Sequence, residues 1–230
     1  MNVLITGASR GIGLEMVKYG IEHNWRIFAC CRHPQQADSL FSLAKLANGR
    51  VSVHVADMYE LATIQALSYE LRNDAIDILI NNAGIYGSDN NKFGHVDVQS
   101  WINTFQVNSI APLKVAEALL EQVRMGEKKI IACISSKMGS MADNGSGGSY
   151  IYRSSKAALN AAMHGLAHEL KPRGIGVLLL HPGWVCTRMG GSSAPIGPEE
   201  SVRGMLSLVD RYEPHLSGGF FRYDGTRMPW

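Results

Sequence analysis

The sequence predicts an α/β fold: a single domain with a doubly wound parallel sheet and helices on both faces. Along most of the 230 residues, short β-branched and apolar runs alternate with longer segments of helical periodicity. The predicted strands are apolar on both faces, as strands buried between two helix layers are. Glycine- and serine-rich segments, Ser140 to Ser149 and Gly190 to Gly197, each follow a strand, at the edge where such sheets bind ligands.

The individual elements follow from composition and period. Glu60–Leu71 repeats leucine and isoleucine on one helical face, whereas Ile76–Ile80 is apolar except at Asp77, as a buried strand largely is. The predicted strands are Asn2–Thr6, Arg26–Cys31, Val51–Val55, Ile76–Ile80, Lys129–Ile134, Gly176–Leu180 and Gly219–Arg222. The predicted helices are Gly11–His23, Asp38–Ala47, Glu60–Leu71, Val98–Val123, Tyr152–Leu170 and Pro198–Val209. No repeat or linker interrupts them, so we expect one domain over residues 1–230.

Composition excludes several classes of protein. With 46% hydrophobic and 18% charged residues, the chain is globular rather than disordered, and its net charge of +2 predicts no nucleic-acid or anionic-membrane partner. No apolar run approaches the ~18 residues of a membrane span, and we expect no secretory leader. The four cysteines lack metal-ligand spacing. They predict buried, reduced thiols in a cytoplasmic protein without a metal site.

A glycine-rich turn lies between the first strand and the first helix. It reads Thr6-Gly7-Ala8-Ser9-Arg10-Gly11-Ile12-Gly13, with the spacing G-x-x-x-G-x-G rather than G-x-G-x-x-G. Glycines at this position let the backbone approach a pyrophosphate, which then sits at the helix N-terminus. An ordinary βα turn is the alternative. We predict cofactor contacts from Gly7, Ser9, Arg10, Gly11, Ile12 and Gly13.

The end of the second strand indicates which dinucleotide binds. An NAD site places an acidic residue there for the ribose 2′-hydroxyl, but this chain has Cys31 and Arg32 instead. Arg32 and Arg10 could together hold a 2′-phosphate through charge-assisted hydrogen bonds. If they are merely solvated surface arginines, the sequence gives no reason to prefer NADP(H) over NAD(H). The predicted cofactor is NADP(H).

Tyr152 and Lys156 are four residues apart and lie on one face of a predicted helix. An ammonium group beside a phenol favours the phenolate, so we expect Lys156 to lower the pKa of Tyr152 and make it a general acid/base. Among the eight tyrosines, only Tyr152 has a lysine at this spacing. Ser135 and Ser136 end the preceding strand, where a hydroxyl can hydrogen-bond a substrate oxygen. Asn108 interrupts an apolar helical stretch.

Together these motifs resemble the short-chain dehydrogenase/reductase family over essentially the whole chain. The resemblance rests on Thr6 to Gly13, Asp57, Asn81 to Gly84, Asn108, Ser136, Tyr152, Lys156 and His181-Pro182-Gly183. The tail, Gly218-Gly219-Phe220 to Tyr223-Asp224-Gly225 and then Pro229-Trp230, is similar to the sniffer-like and C-factor-like carbonyl reductase branch.

The resemblance implies a Rossmann-like fold and a role for each matched residue. Tyr152 would be the acid/base, Lys156 would bind the nicotinamide ribose, and Ser136 would orient the substrate carbonyl. Asn108 would hold a water in a proton relay to Lys156. Ser136 fits the family pattern better than Ser135, although its distance to Tyr152 is longer than most members show. The further implied cofactor contacts are Asp57 and Met58 at the adenine, Asn82, Ala83 and Gly84 at the ribose and sheet, and Pro182, Gly183, Val185 and Thr187 at the nicotinamide.

The predicted activity is hydride transfer between NADP(H) and a carbonyl or secondary alcohol. Apolar residues near the site favour a hydrophobic or aromatic small-molecule substrate, although they could simply pack loops. These residues are Ile85, Tyr86, Met138, Trp184 and Met189, and a cap is predicted over Arg188 to Pro198. An NADP-binding regulatory protein with little turnover is the alternative. A nucleotide-sugar epimerase would need a larger substrate domain after the sixth strand.

Two predicted helices carry more apolar and small residues than packing on a sheet requires. They are the helix after Tyr152, with Ala161, Ala162 and Gly165, and the long helix Val98–Val123. Facing a symmetry mate, they would form a four-helix interface. We therefore expect a homodimer or homotetramer, and a monomer with these faces covered is the alternative.

Overall fold

The computed structural model describes residues 1–88 and 92–230. Its centre is one seven-stranded sheet in which every neighbouring pair of strands is parallel, in the order β3-β2-β1-β4-β5-β6-β7. The chain returns from the edge strand β3 to the centre at β4, so the strand order reverses between β1 and β4. Ligands of doubly wound sheets bind in the crevice at this reversal. The strands are β1 Asn2–Thr6, β2 Arg26–Cys31, β3 Val51–Val55, β4 Ile78–Asn81, β5 Ile130–Ile134, β6 Gly176–His181 and β7 Phe220–Arg222.

Helices cover both faces of the sheet and give the molecule two apolar layers. One layer packs α1, α2 and α8 against the sheet through side chains such as Met16, Leu40 and Met205. The other packs α3, α5 and α7 through Leu67, Val115 and further apolar residues. The α-helices are α1 Gly11–Glu22, α2 Asp38–Leu46, α3 Leu61–Glu70, α4 Val98–Phe105, α5 Ala111–Ala118, α6 Leu120–Met125, α7 Tyr150–Leu170 and α8 Pro198–Asp210. The predicted fold class is confirmed.

The predicted continuous helix Val98–Val123 is wrong. The chain forms α4, then a π-helical turn over Gln106–Ile110, then α5, and it breaks again at Leu119 before α6. Pro112 lacks an N–H and therefore cannot make the regular bond to residue 108, which favours an irregular turn just before it. The irregular turn contains Asn108, so the break lies beside the site.

The other differences are small shifts of element ends. The fourth strand begins at Ile78 rather than Ile76 and includes Asn81, because the Ile76 N–H bonds to the carbonyl of Gln122 instead of to the sheet. Helix α7 begins at Tyr150, two residues before the predicted start, immediately after Ser149 in a left-handed conformation (φ 47°). The remaining predicted ends lie within one residue of the observed ones.

Candidate functional site

At two positions, the turn after β1 has a backbone geometry or packing that only glycine allows. Gly7 has φ +67°, a left-handed conformation that side chains disfavour. At Gly13, a Cβ would lie 2.3 Å from the Gly7 carbonyl oxygen and 2.5 Å from Asn82 Nδ2. The first turn of α1 is thus packed directly onto the loop that precedes it. Any side chain at position 13 would have to push the backbone apart.

The same turn is joined to the end of β4 by side-chain hydrogen bonds. Thr6 Oγ1 accepts from the backbone N–H groups of Asn82 (3.0 Å) and Ala83 (3.1 Å). Asn82 Nδ2 donates to the carbonyls of Thr6 (2.9 Å) and Gly7 (3.2 Å). These bonds join segments about 76 residues apart in sequence. They hold one wall of the crevice at the strand-order reversal.

A cleft of about 290 Å³ opens at this edge of the sheet. Its walls bring together most of the predicted cofactor and catalytic residues. The predicted residues that line it are Gly7, Ser9, Arg10, Gly11, Ile12, Gly13, Arg32, Asp57, Met58, Asn82, Ala83, Gly84, Tyr152, Lys156, Pro182 and Thr187. Asn108, Ser136, Gly183 and Val185 do not line the cleft. Sequence reasoning missed Ala56, Tyr59, Val107 and Ile134, which also line it. Cys31, Ser135 and Arg188, which the sequence analysis named without assigning them a cofactor contact, line it as well.

One end of the cleft is electropositive and has open hydrogen-bond donors. Helix α1 begins at this end, and neither a capping side chain nor an acidic residue in its first turn satisfies its N–H groups. In the described chain, Arg10 and Arg32 form no ion pair with an acidic side chain. The Arg32 guanidinium carbon lies 5.8 Å from the centre of the Tyr59 ring. This end of the cleft is suited to an anion.

The opposite end holds Tyr152 and Lys156 on one face of α7. Burial raises the pKa of Tyr152 to about 12; the Ser136 hydroxyl opposes this rise, and the nearby Tyr86 adds to it. This net direction is opposite to the one predicted from the tyrosine–lysine spacing, because desolvation of the phenolate dominates. At neutral pH, Tyr152 is a phenol with a proton to donate.

Lys156 is buried at 4% exposure. Its Nζ donates to the carbonyl oxygen of Ile134 (2.8 Å) and lies 5.9 Å from the centre of the Tyr152 ring. Burial lowers the pKa of Lys156 to about 8, although Cys133 slightly opposes this shift. The ammonium group is therefore still mostly charged at neutral pH, and it loses that charge in mildly alkaline solution.

The two serines at the end of β5 have different partners. Ser135, which lines the cleft, donates from its Oγ to Oδ1 of buried Asn160 (2.6 Å). Ser136 instead lies near Tyr152, where its hydroxyl acts to lower the pKa of the phenol, and its Oγ accepts from the Met138 N–H (3.2 Å). The structure therefore places the Ser136 hydroxyl beside the phenol. Asn160 lies four residues after Lys156 on α7, so the two side chains share one helix face. This spacing is a sequence signal that could have placed Asn160 near the site.

Asn108 lies in the π-helical turn and is fully buried. Its Oδ1 accepts from the Ile85 N–H (2.9 Å), while Nδ2 donates to the Ile85 carbonyl (2.8 Å) and to Ser155 Oγ (3.0 Å). Both amide hydrogens are therefore used within the protein. Asn108 fixes the main chain just after Gly84, and only its carbonyl oxygen has a free lone pair.

Apolar and aromatic side chains surround the Tyr152 end of the cleft. The Tyr86 ring stacks on the Tyr152 ring (4.8 Å between centroids), and Tyr86 Oη hydrogen-bonds with Ser149 Oγ (3.1 Å). Ile85 and Met189 line the cleft itself. Trp184 is 56% exposed, and its indole N–H donates to the Gly190 carbonyl. The predicted cap belongs to a loop whose two ends are joined by a main-chain hydrogen bond, in which Cys186 N donates to the Ile196 carbonyl (2.8 Å).

The remaining titratable clusters are not metal sites. Within residues 1–88 and 92–230, no group of three or more potential ligands could hold a metal ion, and no helix is long and apolar enough to cross a membrane. The four cysteines are free, and Cys30, Cys31 and Cys133 are buried. Burial raises the pKa of the Cys133 thiol to about 12, so it is unreactive as a nucleophile.

Comparison with known proteins agrees with this geometry. The family model for short chain dehydrogenases matches residues 1–195. The C-signal protein of Myxococcus xanthus is 44% identical over 167 residues, which are 73% of this chain and 100% of that protein. Carbonyl reductase Sniffer of D. melanogaster superimposes with a TM-score of 0.92 at 32% identity, covering 100% of this chain and 99% of that one.

A third relative is an NADPH-bound carbonyl reductase from chicken fatty liver. It has a TM-score of 0.91 and 32% identity, covering 100% of this chain and 98% of that one. The chain therefore belongs to the short-chain dehydrogenase family, and the resemblance to the sniffer-like and C-factor-like branch is confirmed.

Proposed function

We propose that this protein is an NADP(H)-dependent oxidoreductase that interconverts a carbonyl and a secondary alcohol on a small hydrophobic or aromatic molecule. One observation carries the proposal. Tyr152 and Lys156 lie at one end of a glycine-lined cleft, and at its other end are the N-terminus of α1, which has no side-chain cap, and two arginines that form no ion pair within residues 1–88 and 92–230. Acid/base groups and an anion site thus share one continuous cavity. NADPH is also present in the similar chicken carbonyl reductase.

The cleft fits a phosphorylated dinucleotide. The absence of a Cβ at Gly7 and Gly13 lets the main chain form a close-packed turn at the α1 N-terminus, where a pyrophosphate would accept backbone hydrogen bonds. Arg10 and Arg32 would hold the 2′-phosphate, and Asp57 and Met58 would border the adenine. Pro182 and Thr187, which line the cleft, would enclose the nicotinamide together with Gly183 and Val185 of the same segment. Asn82, Ala83 and Gly84 would back the adenosine ribose and the sheet.

When bound, the nicotinamide supplies or accepts the hydride. The chain's own residues manage the proton and the substrate oxygen. Tyr152, a neutral phenol because burial raises its pKa, donates its proton to the carbonyl oxygen during reduction. The Ser136 hydroxyl hydrogen-bonds the same oxygen and orients it. Lys156, positively charged near neutral pH, stabilises the phenolate that remains and holds the cofactor ribose.

The position of Asn108 supports a role in reprotonating the site. Gly84 separates it from Lys156: a Cβ at Gly84 would lie 3.3 Å from Asn108 Oδ1 and 3.6 Å from Lys156 Nζ. The free lone pair of Oδ1 could accept a hydrogen bond from a water between them. Such a water would return a proton to Lys156 and hence to Tyr152.

The substrate class follows from the residues around Tyr152. Tyr86, Ile85 and Met189 offer an aromatic face and aliphatic contacts, and Trp184 and Met138 belong to the two loops on the same side. A ring or alkyl chain beside the carbonyl would bury apolar area there, worth about 25 cal/mol per Å².

The experiment is a panel of aldehydes, ketones and quinones offered with NADPH and followed at the nicotinamide absorbance. The proposal predicts turnover of at least one apolar or aromatic carbonyl, with small charged carbonyls much slower. NADPH binding without turnover of any compound would favour the alternative, an NADP-binding regulatory protein. Failure to bind NADPH would contradict both.

We further propose one domain over residues 1–230 that assembles as a homodimer or homotetramer in the cytoplasm. Exposed apolar side chains on and just after α4, and small exposed residues on α7, favour the assembly: Val98, Ile102, Ile110, Ala161 and Gly165. The buried free thiols favour a reducing compartment. Light scattering at micromolar concentration tests the assembly, because a mass near 25.1 kDa would contradict it.

A further inference from the structure

Residues 137–149 connect the two groups that act on the substrate oxygen, and we call them the connecting loop. Ser136, whose hydroxyl lies near Tyr152, precedes the loop. Ser149 ends it and bonds with Tyr86, whose ring stacks on Tyr152. Both ends of the loop therefore contact the immediate surroundings of the phenol. A displacement of the loop would alter the distance between Ser136 and Tyr152.

The middle of the connecting loop has little structure of its own. Gly147, Gly148 and Ser149 all have left-handed backbone conformations, with φ of 64°, 65° and 47°. Many hydrogen bonds of residues 140–148 are local, such as Asn144 N to the Met141 carbonyl and Gly147 N to Asn144 Oδ1. Arg153, just after Tyr152, reaches back to Ser146 Oγ (3.0 Å). Such a segment needs an external anchor to keep one conformation.

That anchor is the main chain of Trp230. Its carbonyl oxygen accepts from the Ala142 N–H (2.8 Å) and from Ser140 Oγ (3.1 Å). Ser140 Oγ in turn accepts from the Asp143 N–H (3.1 Å), so the Trp230 oxygen holds Ser140 and Ala142 directly and Asp143 through Ser140. These bonds span about 90 residues of sequence.

The indole ring fixes the position of that oxygen. It stacks on Phe220 (5.7 Å between centroids, 16° between planes), and Phe220 is fully buried in β7. The ring also packs edge-on against His164 of α7 (5.2 Å). His164 Nδ1 hydrogen-bonds with the Gly218 carbonyl (2.9 Å), which orients the imidazole. Trp230 thus joins the connecting loop to the sheet and to helix α7.

We propose that Trp230 is a positioning residue that anchors the connecting loop and, through it, sets the arrangement of Ser136 and Tyr152 around the substrate. The proposal rests on the proposed oxidoreductase function. Trp230 is not among the described residues that line the cleft. Its loss therefore affects binding and orientation of the carbonyl compound and leaves NADPH binding intact.

The test compares Trp230→Ala and Trp230→Phe with the unmodified protein. Both variants keep the main-chain carbonyl, and Phe also keeps an aromatic ring for stacking. We expect Trp230→Ala to raise the KM for the carbonyl compound about 3- to 10-fold, the range set by one lost aromatic contact. NADPH affinity should change less than twofold, and Trp230→Phe should restore most of the KM. A Ser140→Ala variant should fall between them, because it removes one hydrogen bond and retains the indole.

Hydrogen exchange of residues 137–149 gives a readout that does not depend on turnover. We expect faster exchange at Ala142 and Asp143 in Trp230→Ala than in Trp230→Phe. Unchanged exchange and unchanged KM in Trp230→Ala would overturn the proposal, as would a parallel loss of NADPH affinity. If the unmodified protein turns over no carbonyl, the proposed function fails, and exchange alone then decides whether Trp230 anchors the loop. Faster exchange would keep the anchor, and unchanged exchange would remove it.

Discussion

The two ends of the cleft are fixed by different kinds of contact. The glycine side, residues 6–13, 31–32 and 82–84, is held by main-chain geometry and by the Thr6 and Asn82 hydrogen bonds between β1 and β4. The loop side, residues 135–149 and 182–197, depends on side chains and on loop contacts with distant elements. A phosphate-binding site uses backbone N–H groups, so it can be rigid and general, whereas substrate recognition requires variable side chains on loops.

The difference has consequences for mutation. A substitution at Gly7 or Gly13 on the glycine side changes the backbone and should affect folding together with cofactor binding, whereas one at Arg32 should affect cofactor binding alone. A substitution on the loop side should alter turnover or substrate affinity while the cofactor still binds. The following four predictions test this separation, beginning with the largest expected effect.

Ser136→Ala should lower kcat about 10²- to 10³-fold, because it removes a hydroxyl that holds the oxygen on which charge develops. NADPH affinity should not change. Ser135→Ala is the matched control from the same strand end, and it should mainly reduce stability, since Ser135 bonds to buried Asn160. Steady-state kinetics with the best carbonyl compound measure both. A larger loss of kcat in Ser135→Ala would reverse the assignment of the two serines.

Arg32→Ala should abolish most of the preference for NADPH over NADH. Charge-assisted hydrogen bonds are worth about 1.5–3 kcal/mol, so the ratio of kcat/KM for the two cofactors should fall about 10- to 100-fold. The NADH value should change little. Equal use of both cofactors by the unmodified protein would contradict the interpretation of Cys31 and Arg32.

Gly13→Ala should destabilise the protein by about 1–3 kcal/mol and weaken NADPH binding, because the new methyl group would overlap Gly7 and Asn82. Gly165→Ala is the control: no atom lies within 4 Å of its Cβ position, and alanine is the better helix former. Thermal unfolding and NADPH titration measure the two effects. If Gly13→Ala binds NADPH normally, the close approach is not needed for the site.

His181 ends β6, next to the loop side, and we expect it to make the stability of the fold sensitive to acid. Burial lowers the pKa of His181 to about 4, helped by Arg222 and Lys137 and opposed by Asp224 and Asp143. The folded state therefore keeps His181 neutral while the unfolded state takes up a proton below pH ~6.5. Stability should fall as pH decreases from about 6.5 towards 4. His181→Gln should flatten that part of the profile of unfolding temperature against pH; an identical profile would remove His181 as the cause.

Most of the fold followed from the sequence because its signals are local. Mostly apolar runs such as Ile76–Ile80, and the glycine turn, each point to one structure without knowledge of the rest of the chain. The break of the long helix was missed because the π-helical turn depends on Asn108 bonding to Ile85, a contact between residues 23 apart. Pro112 was a sequence signal for the break, but the apolar periodicity of the segment favoured one continuous helix.

The site was partly predictable for the same reason. Tyr152 and Lys156 share one helix, so their spacing fixes their relation, but the pKa of Tyr152 depends on burial by distant elements. Ser135 and Ser136 differ because Ser135 bonds to Asn160 on α7. Their position at the end of the strand does not reveal this contact. The Trp230 contact with the connecting loop joins residues about 90 apart and has no local pattern.

The central claim is that Tyr152 supplies the proton on the loop side while the glycine side binds NADPH independently. The most direct measurement compares turnover and NADPH affinity in Tyr152→Phe, which keeps the ring and removes the transferable proton. Tyr150→Phe is the control, because Tyr150 lies two residues before Tyr152 on α7 and is 39% exposed. We predict that Tyr152→Phe binds NADPH normally and loses nearly all turnover, while Tyr150→Phe has a mild effect. Retention of more than about a tenth of the unmodified rate in Tyr152→Phe would contradict the claim, since general acid catalysis contributes about 10²- to 10⁴-fold.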